Sequence, residues 1–449
     1  MTRNLKWSLC VGIVFLAAAG AYVWWQYFRD TWKPPSVVTI DGEEGPASLF
    51  PEYMAWMSTA EEGSRQALLL RDGDYMFTEA GPIRYLASDG PTFKMTNDDW
   101  SVSFNEKTIA LALEKADGQK WLNSASNQQL ASLRLVVIPD DIDAGSLAAL
   151  KRLASVNPNI DLYVESEAAL RQVLPDFEPR AVFIGDDMPL QLLASQPQLE
   201  TLMAGASKPG SLDFLPTLPK LRRLVLGDWD VAQAGPLPEG LPALESLVII
   251  GGDMADLSAL RSAPAGLQEL TLHDLDELKD LSGLNKMTGL RALFIWDGDE
   301  GISVELPDLA SLRQLRWVGL PPTISQKQFA DFVSAHPKLT ILELPKTESA
   351  INLAPLRTLK GLQGLVLGGT YENLEIIQEF TSLDFVGISK DIWDESSAQI
   401  AAIRKALPDA VVVRVGSLCL GSGWILLLVP ILGFAWRRRI SLPLAQQAA

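Results

Sequence analysis

The segment Leu218–Leu226 reads LPKLRRLVL, and its leucines at 218, 221, 224 and 226 stand three, three and two positions apart. The same spacing returns seven times further along the chain, in Leu241/Leu244/Leu247/Ile249, Pro264/Leu267/Leu270/Leu272, Met287/Leu290/Leu293/Ile295, Leu309/Leu312/Leu315/Trp317, His336/Leu339/Leu342/Leu344, Leu359/Leu362/Leu365/Leu367 and Phe380/Leu383/Val386/Ile388. The steps between third residues are 23, 23, 23, 22, 27, 23 and 21 residues. A period of this length predicts stacked structural repeats.

Each LxL pair predicts a strand, because residues two apart in a strand face the same side. One repeat cannot bury four large apolar side chains alone, so neighbouring repeats must stack on it. An array of amphipathic helices is the alternative, and the two-residue step and β-prone runs such as LVII disfavour it. The LxxLxxLxL pattern at this period resembles the leucine-rich repeat superfamily. The resemblance implies an α/β solenoid, a horseshoe with a parallel sheet on its concave face.

Looser groups extend the array, beginning with Leu130/Leu133/Val136/Ile138. Further strands are expected at 160–164, 181–184 and 411–413, and in the group Leu199/Leu202/Ala204. Helical spacing predicts helices over 144–156, 166–174 and 396–407. Ser325 followed by Gln328 has the pattern of a capping box, which predicts a further helix start. We assign the leucine-rich repeat domain to residues 123–415.

Many members of this family carry an asparagine five positions after the first strand leucine, where its amide satisfies backbone groups of the turn. Here those positions hold Ser207, Trp229, Gly252, Leu275, Gly298, Leu320, Thr347, Thr370 and Asp391. Each turn must therefore satisfy its backbone in another way, and we expect an uneven solenoid.

Residues 36–122 lack the repeat spacing and predict a small antiparallel β-rich domain. Turn signals stand at Asp72-Gly73, Asp89-Gly90 and Asn105-Glu106, between segments of β-prone residues. The first hydrophobic face of a solenoid has to be covered, so we interpret this domain as a cap. A binding module is an alternative, and an enzyme of unknown type in this region is another.

Two uncharged runs of 22 residues, 7–28 and 415–436, are long enough to cross a bilayer as helices. We assign transmembrane helices to 7–28 and 416–436, a linker to 29–35, and cytoplasmic ends to 1–6 and 437–449. The basic triplet Arg437–Arg439 favours a cytoplasmic carboxyl end. Ala19-Gly20-Ala21 fits a signal-peptidase site, so a cleaved signal peptide is the alternative to the first anchor. A bacterial sorting signal is the alternative to the second.

The charge of the body indicates which partners it can bind, and the positions of the cysteines indicate the compartment in which it lies. Residues 34–415 hold 31 basic and 54 acidic residues, a net charge of −23, which argues against nucleic acid as a partner. Cys10 and Cys419 both lie in the predicted spans, so the body between them has no disulfide. A disulfide-free extracytoplasmic body is ordinary in bacteria. The sequence therefore predicts a two-pass protein of the bacterial inner membrane, with its repeat domain in the periplasm.

No motif predicts catalysis, a cofactor or a metal site. The chain has two histidines, His273 and His336, which stand far apart, and no phosphate loop, nucleophile elbow or HExxH motif. Asp297, Asp299 and Glu300 form an acidic turn that lacks the ligand spacing of a calcium loop. We predict that the protein is not an enzyme, and we predict no small-molecule substrate.

The residues between and beside the strand leucines predict a protein-binding surface on the concave face. Six of them form a candidate apolar and aromatic cluster: Val248, Ile250, Phe294, Trp296, Arg316 and Val318. Aromatic residues and arginine are enriched in binding hot spots, and exposed apolar patches usually mark interfaces. The predicted partner is an unidentified protein. The alternative is a structural spacer within a membrane complex, in which other parts of the chain cover these side chains.

The predicted topology is tested by reporter fusions. A reporter that works only in the periplasm should be active when fused near Gly235. A reporter that works only in the cytoplasm should be active when fused after Ala449, because both uncharged runs then cross the membrane. A periplasmic carboxyl end contradicts the two-anchor topology. The intact mass of the purified protein decides the other alternative, since loss of residues 1–21 identifies a cleaved signal peptide.

Overall fold

The computed structural model describes the strands within 66–98 and most of 101–415, with gaps at 105–106, 114–115, 134, 185–187, 209–211, 297–305, 348, 370, 384 and 409. Sixteen of the described strands form one large sheet. They are β4 (Met95–Asp98), β5 (Ser101–Phe104), β6 (Lys107–Ala112), β7 (Leu135–Ile138), β8 (Asp161–Val164), β9 (Ala181–Ile184), β10 (Thr201–Gly205), β11 (Arg223–Trp229), β12 (Ser246–Gly252), β13 (Glu269–His273), β14 (Ala292–Trp296), β15 (Trp317–Gly319), β16 (Ile341–Leu344), β18 (Gly364–Leu367), β20 (Phe385–Ser389) and β21 (Val411–Val415).

From β6 to β21 neighbouring strands of this sheet pair in parallel and follow chain order, which is the topology of a solenoid. The strand leucines stay in register from repeat to repeat, for example Leu224, Leu247, Leu270 and Leu293. All four are buried in one hydrophobic core that runs the length of the array. The predicted parallel repeat sheet is confirmed, as are the strands expected at 160–164, 181–184 and 411–413.

The register of one repeat differs from the sequence interpretation. Leu293 pairs with Val318, and Val318 with Leu342, so the third core position of this repeat is Val318 and not Leu315. Val318 and Leu320 both belong to the repeat core. The steps of 22 and 27 residues become 25 and 24. The placement of Val318 on the concave face was wrong, because a shift of three positions in a strand exchanges inward and outward side chains.

Helices and short 3₁₀ segments return the chain along the opposite side of the sheet. The helices are α1 (Ala116–Ser124), α2 (Asn127–Ser132), α3 (Ala144–Val156), α4 (Glu167–Val173), α5 (Val231–Ala234), α6 (Gln326–Ala335), α7 (Lys390–Glu395) and α8 (Ser397–Ala406). The 3₁₀ segments are Leu174–Asp176, Leu190–Ser195, Leu215–Thr217, Leu257–Leu260, Ser282–Lys286, Ala354–Thr358 and Leu374–Glu379. The capping box predicted at Ser325 and Gln328 is present and starts α6.

Aspartate and asparagine side chains satisfy backbone groups where several of these return segments begin. Asp256 accepts from the backbone N–H of Ser258 at 2.7 Å, and Asp280 accepts from that of Ser282 at 2.7 Å. Asn352 does the same at the 3₁₀ segment that starts at Ala354, at 2.8 Å. These residues open a recurring D/N-L-x-x-L pattern, and each supplies the acceptor that a helix start lacks.

A second device lies where the strands end. Asp228, Gly251 and Asp274 stand at successive equivalent positions, and all three have a positive φ, of 44°, 73° and 53°. Glycine and aspartate tolerate this left-handed backbone, which turns the chain away from the sheet. A side chain at Gly252 would come within 2.4 Å of the Trp229 carbonyl oxygen, so only glycine fits there. These residues turn the chain at the strand ends, one position before Trp229, Gly252 and Leu275.

The amino-terminal strands form two groups. The strands β1 (Gln66–Leu68), β2 (Tyr75–Thr78) and β3 (Gly81–Ala87) make an antiparallel sheet in the order β1–β3–β2. In contrast, β4, β5 and β6 are antiparallel to one another and continue the large sheet at its amino-terminal edge. The large sheet therefore includes strands that we assigned to a cap domain over 36–122. A separate pair, β17 (Ile351–Asn352) and β19 (Tyr371–Glu372), lies on the return side.

The predicted membrane spans, 7–28 and 416–436, lie outside the residues that the structure describes. Within the described residues, no helix combines the length and the apolar character needed to cross a bilayer.

The corrected register is tested by a charge at Val318. Val318→Asp should lower the free energy of unfolding by several kcal/mol, because it buries a carboxylate without a partner in the repeat core. Gln314→Asp, on the exposed turn before β15, should change it by less than about 0.5 kcal/mol. Urea titration of both variants measures the difference. Equal stability of the two variants contradicts the register.

Candidate interaction surface on the concave face

The side of the large sheet that faces away from the repeat core carries a central column of side chains. Residues of this column alternate with the core leucines, so the strand geometry alone directs them to the concave face. From β7 to β18 they are Val137, Tyr163, Phe183, Met203, Val225, Val248, Thr271, Phe294, Gly319, Glu343 and Val366. We call this set the concave column. Its character is apolar and aromatic, unlike that of an ordinary solvated sheet face.

Part of the concave column forms a hydrophobic cluster of its own. Val225 and Val248 are buried there, and the half-buried Met203 and Ile250 pack against them. This cluster is separate from the core of the repeats, although it lies on the same sheet. Ile250 and its neighbour His273 follow the column on its carboxyl side and retain partial exposure. The concave face therefore offers apolar side chains at a partly accessible edge.

An aromatic and acidic group lies further along the same face. The rings of Phe294 and Trp317 meet edge to face, with their centroids 4.9 Å apart. The indole Nε1–H of Trp317 donates a hydrogen bond to Oε1 of Glu343 at 2.7 Å. Gly319 lies between Phe294 and Glu343 in the register and carries no side chain. All three side chains are buried, and Phe294 is 0% exposed.

The environment of Glu343 disfavours its charged form. Burial raises the pKa of its carboxyl group to about 8, and the hydrogen bond from Trp317 only partly offsets this effect. Among the groups that the structure describes, no hydrogen-bond partner meets Oε2 of Glu343. The Oγ1 atom of Thr271, two strands before Gly319, is likewise buried without such a partner in the described region. Both residues belong to the concave column.

Charged residues border the column on its amino side. Arg223, Ser246 and Glu269 occupy equivalent positions on β11, β12 and β13. Burial lowers the pKa of Arg223, while the carboxylates of Glu269 and Glu245 act in the opposite direction. This border combines a partly buried arginine with a buried serine and a buried glutamate.

The six predicted contact residues do not form one cluster. Val248 and Phe294 lie in the concave column and are buried, and Ile250 is half-buried beside it. Trp296 pairs with His273 in the strand register, and its side chain is outside the part of the chain that the structure describes. Arg316 precedes β15 and donates to the carbonyl oxygens of Gln314 and Leu315 at 3.2 and 3.0 Å.

The sequence interpretation placed Glu343 on the concave face but missed Trp317 as the residue that joins it to Phe294. Trp317 was assigned to the core, and it instead lies in register with Ala292, one position before the core residue. The sequence feature that could have revealed the correct register is the pair of unequal repeat lengths, 22 and then 27 residues, on either side of this strand. Moving the register by three positions makes them nearly equal and places Trp317 on the concave side. As contact residues for a partner, the other five predicted residues stay a prediction, whereas Val318 lies in the repeat core.

The histidines take part in local contacts. His273 Nδ1 lies 3.1 Å from Oδ2 of Asp274. His336 is buried, with its ring nitrogens 2.8 and 3.0 Å from the carbonyl oxygens of Phe332 and Leu309. Within the described residues, no group of three or more metal-binding side chains comes together. The acidic turn with Asp297 falls in an undescribed gap.

No protein-family model matches the chain, and no curated protein matches it significantly. An internalin of Listeria monocytogenes is similar to 68% of this chain over 90% of its own length, with 17% identity and a TM-score of 0.32. An internalin C2 of the same organism covers 43% of this chain and 83% of its own, with 17% identity and a TM-score of 0.31. A leucine-rich repeat protein of Leptospira interrogans is similar to 67% of this chain over 99% of its own length, with 13% identity and a TM-score of 0.30.

The raised pKa of Glu343 predicts a pH-dependent stability. Between pH 4.5 and about 8 the folded protein keeps a proton that the unfolded chain has lost. The contribution of Glu343 is therefore fully present below pH 4.5 and is lost as the pH rises towards 8, by about 1.4 kcal/mol per pH unit. Glu343→Gln keeps an acceptor for Trp317 and should remove this loss. Urea unfolding at several pH values between 5 and 8 measures it, and equal pH slopes for both proteins contradict the assignment.

Proposed function

We propose that this leucine-rich repeat protein binds another protein through the concave side of its sheet. The observation that supports this function is the second hydrophobic cluster, with Val225 and Val248 buried and Met203 and Ile250 half-buried, on the face that does not form the repeat core. A sheet face that only meets water is normally polar, whereas contiguous apolar side chains mark interaction sites. Repeat solenoids provide extended concave surfaces of this kind.

The accessible part of this surface is its carboxyl edge. Ile250 and His273 are partly exposed there, whereas Phe294 and Val248 are buried. A partner would therefore first contact the edge formed by β11, β12 and β13. The buried Phe294 contributes to stability, since its ring packs against Trp317.

We also propose that the protein is anchored in the bacterial inner membrane and faces the periplasm. The two uncharged runs, the Arg437–Arg439 triplet and the cysteine-free acidic body support this location. The reporter fusions described above test it independently of any binding partner.

A structural spacer is the second candidate function. The burial of Phe294 and Glu343 on the concave face favours it, because a surface that is filled within one chain needs no external ligand. The two functions differ in what Ile250 contacts when the protein is in its native membrane.

A photoreactive side chain at Ile250 distinguishes them. Incorporation of p-benzoylphenylalanine at Ile250 in the full chain should give a crosslink to one other protein in intact cells, because this position lies at the proposed edge. The same probe at Lys338, exposed on the return side, is the matched control and should not give that product.

Ile250→Asp completes the experiment. This substitution should abolish recovery of the partner that the Ile250 probe identifies, while the thermal unfolding midpoint stays within a few degrees, because Ile250 is partly exposed and lies outside the repeat core. Unchanged recovery with Ile250→Asp, or only intrachain crosslinks from Ile250, contradicts the binding function and favours the spacer.

A further inference from the structure

A cavity of about 350 Å³ lies on the return side of the solenoid, where two neighbouring repeats meet. Residues of the 3₁₀ segments Leu257–Leu260 and Ser282–Lys286, and of the turns that follow them, line this cavity. The two segments pack closely at one point, because a side chain on Gly283 would come within 2.8 Å of Cβ of Leu257. The volume is at the lower end of the range found for small-molecule sites.

One additional residue in the first of these repeats accounts for the space. Three residues, 261–263, separate the second leucine of its D/N-L-x-x-L pattern from the next core position, whereas the following repeat has two, 285–286. The turn before Pro264 is therefore longer, and the small side chains of Ala263 and Ala265 leave room there. The floor of the cavity is apolar and consists of three buried leucines, Leu257, Leu260 and Leu267.

Two cationic side chains line the same cavity. Arg261 stands five positions after Asp256, and Lys286 stands six positions after Asp280, which pairs with Asp256 across the two repeats. Both side chains are exposed, and within the described residues neither has an ion-pair partner. The surrounding body, residues 34–415, has a net charge of −23, so carboxylates were available in the sequence but not placed beside these two cations.

A later pair of repeats carries an ion pair at the equivalent positions. Arg357 stands five positions after Asn352, and Glu379 stands six positions after Asn373. Nε and Nη2 of Arg357 donate to Oε2 and Oε1 of Glu379 at 2.9 and 2.7 Å. The solenoid therefore brings these two positions within hydrogen-bond distance across adjacent repeats.

At the cavity, Lys286 occupies the position that Glu379 has in the later pair. Arg261 therefore meets a like charge where Arg357 meets a carboxylate, and like charges repel each other. An anion bound between the two cations would remove this repulsion and accept charge-assisted hydrogen bonds from both.

The cavity also contains two carboxylates, those of Asp256 and Asp280. Each accepts from the backbone N–H two positions further on at 2.7 Å, and the hydroxyl of Ser282 donates to Asp280 at 3.0 Å. A 3₁₀ segment rises about 2 Å per residue, so Arg261 lies about 10 Å from Asp256 along the segment. The aspartates thus occupy one end of the cavity, and an anionic group belongs at the other.

We propose that this cavity binds a small organic molecule, whose carboxylate or phosphate group lies between Arg261 and Lys286 and whose apolar part lies over the buried leucines. The site is on the opposite side of the sheet from the concave column, so this inference goes beyond the proposed binding of a protein. The sequence motifs did not indicate it, because the cavity forms only where two repeats meet.

Saturation-transfer NMR on the purified full chain tests the site with two anionic probes. N-acetylleucine supplies a carboxylate and butyl phosphate supplies a phosphate, each beside a short apolar group, and N-acetylleucinamide is the uncharged control. At least one anion should bind, and the amide should bind about tenfold more weakly than the acid, because it lacks the charge-assisted hydrogen bonds. The anion with the lower Kd identifies the chemical class of the ligand.

Lys286→Glu supplies the missing carboxylate within the chain. This substitution recreates the pair formed by Arg357 and Glu379, so it should raise the Kd of the anion about tenfold or more. The thermal unfolding midpoint should stay within a few degrees, because the position is exposed. Lys338→Glu makes the same change of charge at an exposed position outside the cavity and should leave the Kd unchanged.

The inference is overturned if neither anion binds, if N-acetylleucine and its amide bind equally, or if Lys286→Glu leaves the Kd unchanged. An equal rise of the Kd in Lys338→Glu also overturns it, since binding would then respond only to the net charge of the protein. If Lys286→Glu does not fold, Arg261→Gln, which removes the other cation, carries the test. None of these results depends on Ile250 or on a protein partner.

Discussion

The structure depends on the register of its parallel strands. Each strand directs two apolar side chains into the core, and each repeat leaves them exposed unless its neighbours lie alongside. Leu224, Leu247, Leu270 and Leu293 meet this requirement in successive strands. Two local features support this register. Residues with a left-handed backbone turn the chain at the strand ends, and aspartate acceptors start the return segments that lead to the next strand.

The repeat that contains β15 shows how the register also shapes the concave face. Val318 fills the core there, and Trp317 consequently lies on the other side, against Phe294 and Glu343. An indole and a carboxyl group are thus buried on a face that a simpler repeat would leave to solvent. The cost of burying the carboxyl group is visible in its pKa of about 8.

Two kinds of burial therefore coexist in one sheet. The repeat core is one continuous hydrophobic cluster, whereas the concave face combines a small valine cluster with buried polar atoms of Thr271 and Glu343. A face of this composition suits contact with a second layer of protein, because backbone groups of that layer satisfy polar atoms and its side chains cover the apolar ones.

The sequence by itself determined the repeat fold. The three-three-two leucine spacing identified the strands, and local signals such as Ser325 with Gln328 identified helices to within a residue or two.

Only the tertiary structure decided the register of β15 and, with it, the content of the candidate site. In LRQLRWVGL two leucine frames, three positions apart, fit the spacing rule equally well, because Leu312 and Leu315 belong to both. Pairing with Leu293 on one side and Leu342 on the other selects the frame with Val318, since hydrogen bonds between parallel strands fix which residues stand side by side. The burial of the concave column is also beyond the sequence pattern, because it depends on contacts between segments far apart in the chain.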